Sequence, residues 1–367
     1  MRVLILSITA GEGHNSCAKA IKEIYDICEE PANIADGLDF VSHALKKFIA
    51  FSHIVLYRHF PAVFNFGYTQ SEKKPHLFRK GSLVYKILLK GVKRLKDYIE
   101  QGDYDTVICT HPFAAIMVTE VVKQYNLRLK TAFVATDFTC SPSTKESDVD
   151  YYFIPHKSLI SDFRTSTITP EKIIATGIPI RQSFYSINDK ELAKTELGID
   201  PSHRHIVMMC GSMGCGPLAS LACRVSEKLN DQTDLTIICG TNKKLRRRLQ
   251  RSLCGKPRVH VIGFTNNMSQ LLDSADLFLT KPGGISTSEA VAKCTPMLFV
   301  NTVGACESYN LAHFLKYNVA VSGRTVKELS RTCIDLISDA EKLDEMRDNL
   351  AKMGQLNSAE LIRNILL

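Results

Sequence analysis

His205-Ile206-Val207-Met208-Met209-Cys210-Gly211-Ser212-Met213-Gly214-Cys215-Gly216-Pro217 is the stretch whose reading decides the fold. Its first half is a short apolar run, and its second half holds three glycines. A brief continuous apolar run bounded by turn residues reads as a strand buried on both faces, as in a parallel sheet. Glycines directly after such a strand expose backbone N–H groups at the next helix N-terminus, a geometry that binds a diphosphate without lysine or metal. A merely tight turn would use the same residues. No G-x-x-x-x-G-K-[ST] occurs, which disfavours a P-loop ATPase.

The pattern repeats along the chain. Strand candidates in the first half are 2–8, 32–36, 105–109, 130–135, 151–154 and 172–176; in the second half they are 205–210, 234–239, 258–262, 276–280, 296–300 and 318–321. Helix-length segments separate them, which implies βαβ units and an α/β chain of two doubly wound sheets with about six strands each. The expected organisation is a domain over 1–180, a polar linker over 181–204, a second domain over 205–338 and terminal helices over 339–367 that could pack on either domain. Residues 38–100 interrupt the first series with helices instead of strands.

The chain has 367 residues, 45% hydrophobic and 23% charged, which fits two soluble globular domains. No apolar run approaches the roughly 18–20 residues of a membrane span. The opening run Val3–Leu6 leads into a glycine turn and not a small-residue cleavage site, so it reads as a first strand and the protein as unexported. Twelve scattered cysteines without metal-ligand spacing read as reduced cytosolic thiols, with no metal site expected.

The formal net charge of +8 is concentrated in two stretches, around Lys73–Lys96 and Lys243–Arg251. Such patches attract the phosphates of nucleic acid or of anionic lipid, and a solvated helix face has the same signature. Leu83, Val84, Ile87, Leu88, Leu95 and Ile99 recur at helical spacing with Lys86, Lys90, Lys93 and Arg94 between them. An amphipathic basic helix of this kind lies on a membrane surface or packs on a core with a wet basic face. The aromatic supply just before it (Phe51, Tyr57, Phe60, Phe64, Phe66, Tyr68) favours the membrane.

Three further loops carry candidate chemistry. After the first strand comes Gly11-Glu12-Gly13-His14-Asn15-Ser16, close to G-x-G-x-x-G, with Asp36 downstream; a dinucleotide site is one reading. His14 at a strand-to-helix turn would point into the crevice above the strand ends, where its near-neutral pKa suits proton abstraction; capping its own helix is the alternative. Lys281-Pro282-Gly283-Gly284-Ile285-Ser286-Thr287-Ser288-Glu289 again opens a helix, with Ser286 and Thr287 as hydroxyl donors to phosphate and Glu289 as acceptor for ribose hydroxyls. Ser286 and Glu289 also fit a capping box. Gly263-Phe264 ends another strand and could seat a base.

Taken together, Gly11-x-Gly13-His14, Thr136-Asp137-Phe138, Gly177-Ile178-Pro179-Ile180, the 211–217 loop and Lys281-Pro282-Gly283-Gly284 through Glu289-Ala290 resemble the monogalactosyldiacylglycerol synthase and processive diacylglycerol glucosyltransferase family. The lipid II N-acetylglucosaminyltransferase is a more distant relative. The resemblance runs in order over about residues 1–320. It implies a GT-B fold, two Rossmann-like domains facing across a cleft. A UDP-sugar (UDP-glucose or UDP-galactose) would sit on the C-terminal domain and a diacylglycerol-type lipid on the N-terminal domain. Transfer of the hexose would invert the anomeric carbon, at the cytoplasmic face of an anionic membrane. On the same basis His14 is the general base, Asp137 orients it or shares its proton, and no cofactor or metal is required. Glu307 and Asn310 match the family's donor-sugar residues, whereas Cys306 replaces its glutamine and cannot supply the amide's paired hydrogen bonds.

Other classes make fewer of these residues useful. An NAD-type oxidoreductase rests on Gly11-x-Gly13 and Asp36 alone, and a non-catalytic lipid-surface binder on the charge and Cys306. An isoprenoid-linked acceptor would need only a different N-terminal cleft. No nucleic-acid-binding motif is present, so nucleic acid is not an expected partner.

Overall fold

Among the residues described by the computed structural model (1–9, 12–47, 75–214, 216–300, 305–354 and 356–367), twelve strands form two six-stranded sheets. In the first sheet they are β1 Val3–Ser7, β2 Ala32–Asp36, β3 Thr106–Cys109, β4 Lys130–Val134, β5 Tyr151–Ile154 and β6 Ile173–Ala175, in the order β2-β1-β3-β4-β5-β6. The second holds β7 Arg204–Met209, β8 Thr233–Ile238, β9 Val259–Ile262, β10 Leu277–Thr280, β11 Met297–Val300 and β12 Ala320–Gly323, ordered β12-β11-β10-β7-β8-β9. Every pairing is parallel. The expected strands all form, because central strands covered on both faces must be apolar throughout: β1, β3, β10 and β11 are buried at every residue. Parallel order has one consequence for function. All loops that follow strands of one sheet emerge on the same edge.

The chain divides into two compact units: Met1–Gln182 with Val303–Tyr309 and Leu356–Leu367, and Ser183–Thr302 with Asn310–Gln355. Two expectations change here. Residues 181–204 are not a free linker, since from Ser183 onward they are built into the second unit. The Ser183 carbonyl accepts from Ser269 Oγ, Asn188 donates to Asp273, and the helix Lys190–Glu196 sends Lys190 and Lys194 to Asp276. The terminal helices do not act together either. Ala340–Met353 stays with the second unit, while Ser358–Leu366 returns to the first, where Arg363 pairs with Glu30 and Asn357 exchanges hydrogen bonds with Gln182.

The basic segment of the first unit is two helices, Leu83–Leu89 and Val92–Gln101, and not one. They break at Gly91, where a Cβ would stand 2.8 Å from Met117 Cε and 2.9 Å from Val41 Cγ2, so the backbone must approach its neighbours closely. Tyr85, Leu88, Leu95 and Ile99 face the core, while Lys86, Lys90, Lys93 and Arg94 are exposed and Lys93 pairs with Asp97. The aromatics from Phe51 to Tyr68, and Lys73, lie outside the described residues. No described helix is long and apolar enough to cross a membrane, and none of the described cysteines is disulfide-bonded.

Asp276, 2% exposed at the start of β10, ties the second unit together. Its carboxylate accepts the His205 backbone N–H at 2.9 Å and meets Lys190, Lys194, Arg204 and Arg347 at 3.0–3.4 Å. These cations outweigh the cost of its burial and hold its pKa down at about 2. Removing one member of a buried ionic cluster strands the others. Asp276→Asn should therefore destabilise the chain by roughly 3 kcal/mol or more, read from urea unfolding; an unchanged midpoint would contradict this role.

Candidate active site

At the carboxyl edge of the first sheet, β1, β3 and β4 are adjacent, so the residues after them converge. The helix after β1 begins at Glu12, which makes Gly13, His14 and Asn15 its first turn and not part of a loop. Gly11 lies outside the described residues. His14 Nδ1 is 2.7 Å from the Thr110 carbonyl, just beyond β3, and 3.0 Å from Thr136 Oγ1, beyond β4. A carbonyl oxygen can only accept, so Nδ1 carries the proton and donates it; in the neutral ring the lone pair then belongs to Nε2. His14 is thus tethered by a neighbouring strand and does not cap its own helix. Asn15 Oδ1 accepts from Ser7 Oγ at 2.6 Å, fixing the same turn to β1. Asp137 follows Thr136 directly and is half-buried. Nδ1 of His14 is held by Thr110 and Thr136.

His111 is a residue that pattern reading missed. Its ring stands edge-to-face against His14, with centroids 4.6 Å apart. Its Nδ1 accepts the Phe113 N–H at 3.0 Å, capping the helix Pro112–Tyr125, so the neutral ring keeps its proton on Nε2. Desolvation, and next the nearness of His14, hold its pKa well below the usual imidazole value. A neutral neighbour leaves room for positive charge on His14.

Asp36 does not serve a dinucleotide. Its carboxylate accepts from the backbone and hydroxyl of Thr9 and from Leu38 N–H, and Lys46 lies 3.3 Å away. Both oxygens are committed to closing the loop after β1.

The second sheet brings its loops together in the same way. β7 and β10 are hydrogen-bonded neighbours, with Met209 opposite Thr280, so the turns at 211 and 283 open on one edge. Gly211, Gly214 and Gly216 all adopt positive φ. The helices they precede, Leu218–Ser226 and Gly284–Ala292, have no side-chain cap, whereas Asn242, Thr325 and Asp339 cap other helices of this unit. Two adjacent helix N-termini therefore present backbone N–H groups unmatched by side chains, an anion-binding arrangement. The Lys281 stem lies beside both glycine turns: a Cβ would stand 3.0 Å from its Cε if built on Gly211 and 3.6 Å if built on Gly283. The loop after β8 braces the first turn. Thr241 N–H donates to the Ser212 carbonyl, Asn242 Nδ2 donates to the Gly214 carbonyl, and a Cβ on Gly240 would sit only 2.0 Å from that Ser212 oxygen.

Other sequence candidates fall as follows. Thr287 is buried and its hydroxyl donates back to the Gly283 and Gly284 carbonyls, so it cannot also donate to a phosphate. Ser286 is an interior residue of the first turn and Gly283 is the N-cap, so the capping box with Glu289 does not form; Glu289 is buried. Gly263 and Phe264 follow β9 on the same edge, with Phe264 66% exposed. Cys306, Glu307 and Asn310 share the helix Ala305–Lys316; Glu307 and Asn310 are buried, and Asn310 Nδ2 donates to the Pro282 carbonyl at 2.9 Å, bracing the second glycine turn. Met213 lies in the first turn, while Cys215 is outside the described residues.

Residues 14–180 match the family model of monogalactosyldiacylglycerol (MGDG) synthase, and residues 205–365 match the glycosyltransferase family 28 C-terminal domain. The processive diacylglycerol beta-glucosyltransferase of Bacillus licheniformis is 24% identical over 98% of this chain and 93% of its own length. Its namesake from Staphylococcus epidermidis is 27% identical over 72% and 68%. Among solved structures, Acinetobacter baumannii MurG superposes with a TM-score of 0.69 at 12% identity, covering 100% of this chain and 99% of its own. UDP-GlcNAc 2-epimerase from Neisseria meningitidis, bound to UDP-GlcNAc, gives 0.64 at 14% with the same coverage. These likenesses identify the fold as GT-B.

The hydrogen-bond pattern at His14 is directly checkable. Long-range 1H–15N spectra of the neutral protein should show His14 as the Nδ1–H tautomer, and an Nε2–H signature would refute the assignment.

Proposed function

We propose that this chain, whose residues 14–180 and 205–365 match the monogalactosyldiacylglycerol synthase and glycosyltransferase family 28 C-terminal models, belongs with the diacylglycerol glycosyltransferases and transfers a hexose from a UDP-sugar to diacylglycerol or a glycosyl-diacylglycerol, with inversion. The observation that carries this reading is the pair of glycine turns that open on one sheet edge, each followed by a helix without a side-chain cap, with the Lys281 stem beside both turns. They supply what a UDP leaving group needs: backbone N–H donors, two helix dipoles and one cation, preorganised where negative charge develops. In this reading Glu289 accepts from the ribose, Phe264 and the Gly263 backbone seat the uracil, and Glu307 and Asn310 hold the sugar. UDP-glucose and UDP-galactose are the proposed donors.

On the acceptor side His14 Nε2 takes the proton of the lipid hydroxyl as that oxygen attacks the anomeric carbon. The bond to UDP breaks as the glycosidic bond forms, so a single displacement inverts the centre. Thr110 and Thr136 stabilise the resulting imidazolium through Nδ1, and in this reading Asp137, next to Thr136 in the chain, orients the imidazole or shares its proton. The enzyme works at the cytoplasmic face of the membrane, where its acceptor resides, with Lys86, Lys90, Lys93 and Arg94 toward anionic lipid.

His14→Ala should keep the rise in melting temperature caused by UDP while transfer to diacylglycerol falls about 10²–10⁴-fold, the usual contribution of a general base. Full transfer by this variant would overturn the mechanism. Lys281→Ala should weaken UDP binding by roughly ten- to a hundredfold in calorimetry, as expected for a lost charge-assisted hydrogen bond. Unchanged affinity would remove Lys281 from the donor site.

A further inference from the structure

Between Asp234 and Asp273 the chain holds no acidic residue, yet it holds Lys243, Lys244, Arg246, Arg247, Arg248, Arg251, Lys256 and Arg258. The whole chain has 46 Lys and Arg against 38 Asp and Glu. With these eight set aside, the rest carries equal numbers of both signs, so the excess in this segment equals the net charge of the whole chain. Lys256 and Arg258 are used internally, on Ser226 and His203. The other six lie on one helix, Lys243–Ser252, all of them exposed.

That helix packs on the edge strand β9 through buried Leu249 and half-buried Leu245. At 100° per residue, Lys243, Lys244, Arg247, Arg248 and Arg251 fall within an arc of about 140° on the side away from Leu249, along about 12 Å of helix axis. None of them has an ion-pair partner among the described residues. By contrast, Lys93 and Lys96 of the helix Val92–Gln101 pair with Asp97 and Glu100 one turn on. Like charges at i,i+4, as in Lys243/Arg247, Lys244/Arg248 and Arg247/Arg251, weaken a helix. The stripe therefore costs the fold something and does nothing for it in return. An external polyanion would reverse that cost.

We infer that the helix Lys243–Ser252 docks on an anionic phospholipid bilayer. The choice of a bilayer rests on the function proposed above, whose acceptor is a membrane lipid. It also rests on the residues themselves: no Phe, Tyr or Trp occurs from 235 to 263, so the platform on which single-stranded bases stack is missing. The helix starts at the brace of the first glycine turn, where its N-cap Asn242 holds the Gly214 carbonyl, and it places a lipid contact on the nucleotide-binding unit.

The test uses the full chain with Lys244→Gln, Arg247→Gln, Arg248→Gln and Arg251→Gln combined, leaving Arg246, which lies against Gly263, in place. Each cation near an anionic surface is worth on the order of fivefold in partitioning at low salt. Co-sedimentation with phosphatidylcholine vesicles containing phosphatidylglycerol should fall at least about thirtyfold. The melting temperature, the UDP-induced shift and transfer to detergent-dispersed diacylglycerol should be kept. Added salt should weaken the wild type far more than the variant. Wild-type vesicle binding by the variant overturns the inference, as does tighter wild-type binding to polyuridylate than to the vesicles at one ionic strength. Failure of the functional reading looks different: charge-dependent vesicle binding would persist in a protein that transfers no sugar.

Discussion

A side chain on Gly211 would meet the Lys281 stem at 3.0 Å, and the candidate donor site depends on that side chain being absent. Two neighbouring strands end level with each other, and the glycine on one leaves room for the lysine that follows the other. The consequence is electrostatic. The Lys281 stem lies beside both glycine turns, and the helices that follow them carry no side-chain cap, an arrangement suited to an anion. The supports lie further out: the Ser212 carbonyl held by Thr241, the Gly214 carbonyl by Asn242, and the Pro282 carbonyl by Asn310. Each brace engages a backbone carbonyl.

The acceptor side follows a related logic. His14 takes its geometry from the strands beside its own, through one carbonyl and one hydroxyl. Its other neighbour, His111, is kept neutral by desolvation while its capping bond sets the tautomer. A base that must become a cation during a reaction is best placed beside a dipole and an uncharged ring. This cluster has that composition.

The strands were legible in the sequence because double burial forces continuous apolar runs, and each of the twelve appears within a few residues of its expected position. The glycine turns and His14 were legible because strand-to-helix junctions in parallel sheets all face one edge. What escaped was tertiary. Nothing local to Thr110, Thr136 or His111 says that parallel neighbours will carry them to His14. Nothing near Lys281 says that its stem will lie against a glycine some seventy residues earlier. Thr287 looked like a phosphate donor because its hydroxyl's preference for the carbonyl one turn back is a helical property, invisible until the helix start is known. The apparent linker was misread for the reverse reason. Polar composition marked it as loose, but its lysines meet the buried Asp276 of the second unit.

The return of the helix Ser358–Leu366 to the first unit means that this unit is not a continuous stretch of chain. Its closing element packs against the helix Glu12–Ile27, burying Ala359, Ile362 and Leu366, and is fastened by Arg363 to Glu30. A ribosome therefore releases the beginning of this unit long before the piece that covers it. Until those final residues emerge, the apolar flank of the opening helix has no lid, and the nascent lobe must wait partly unsealed while its companion is made.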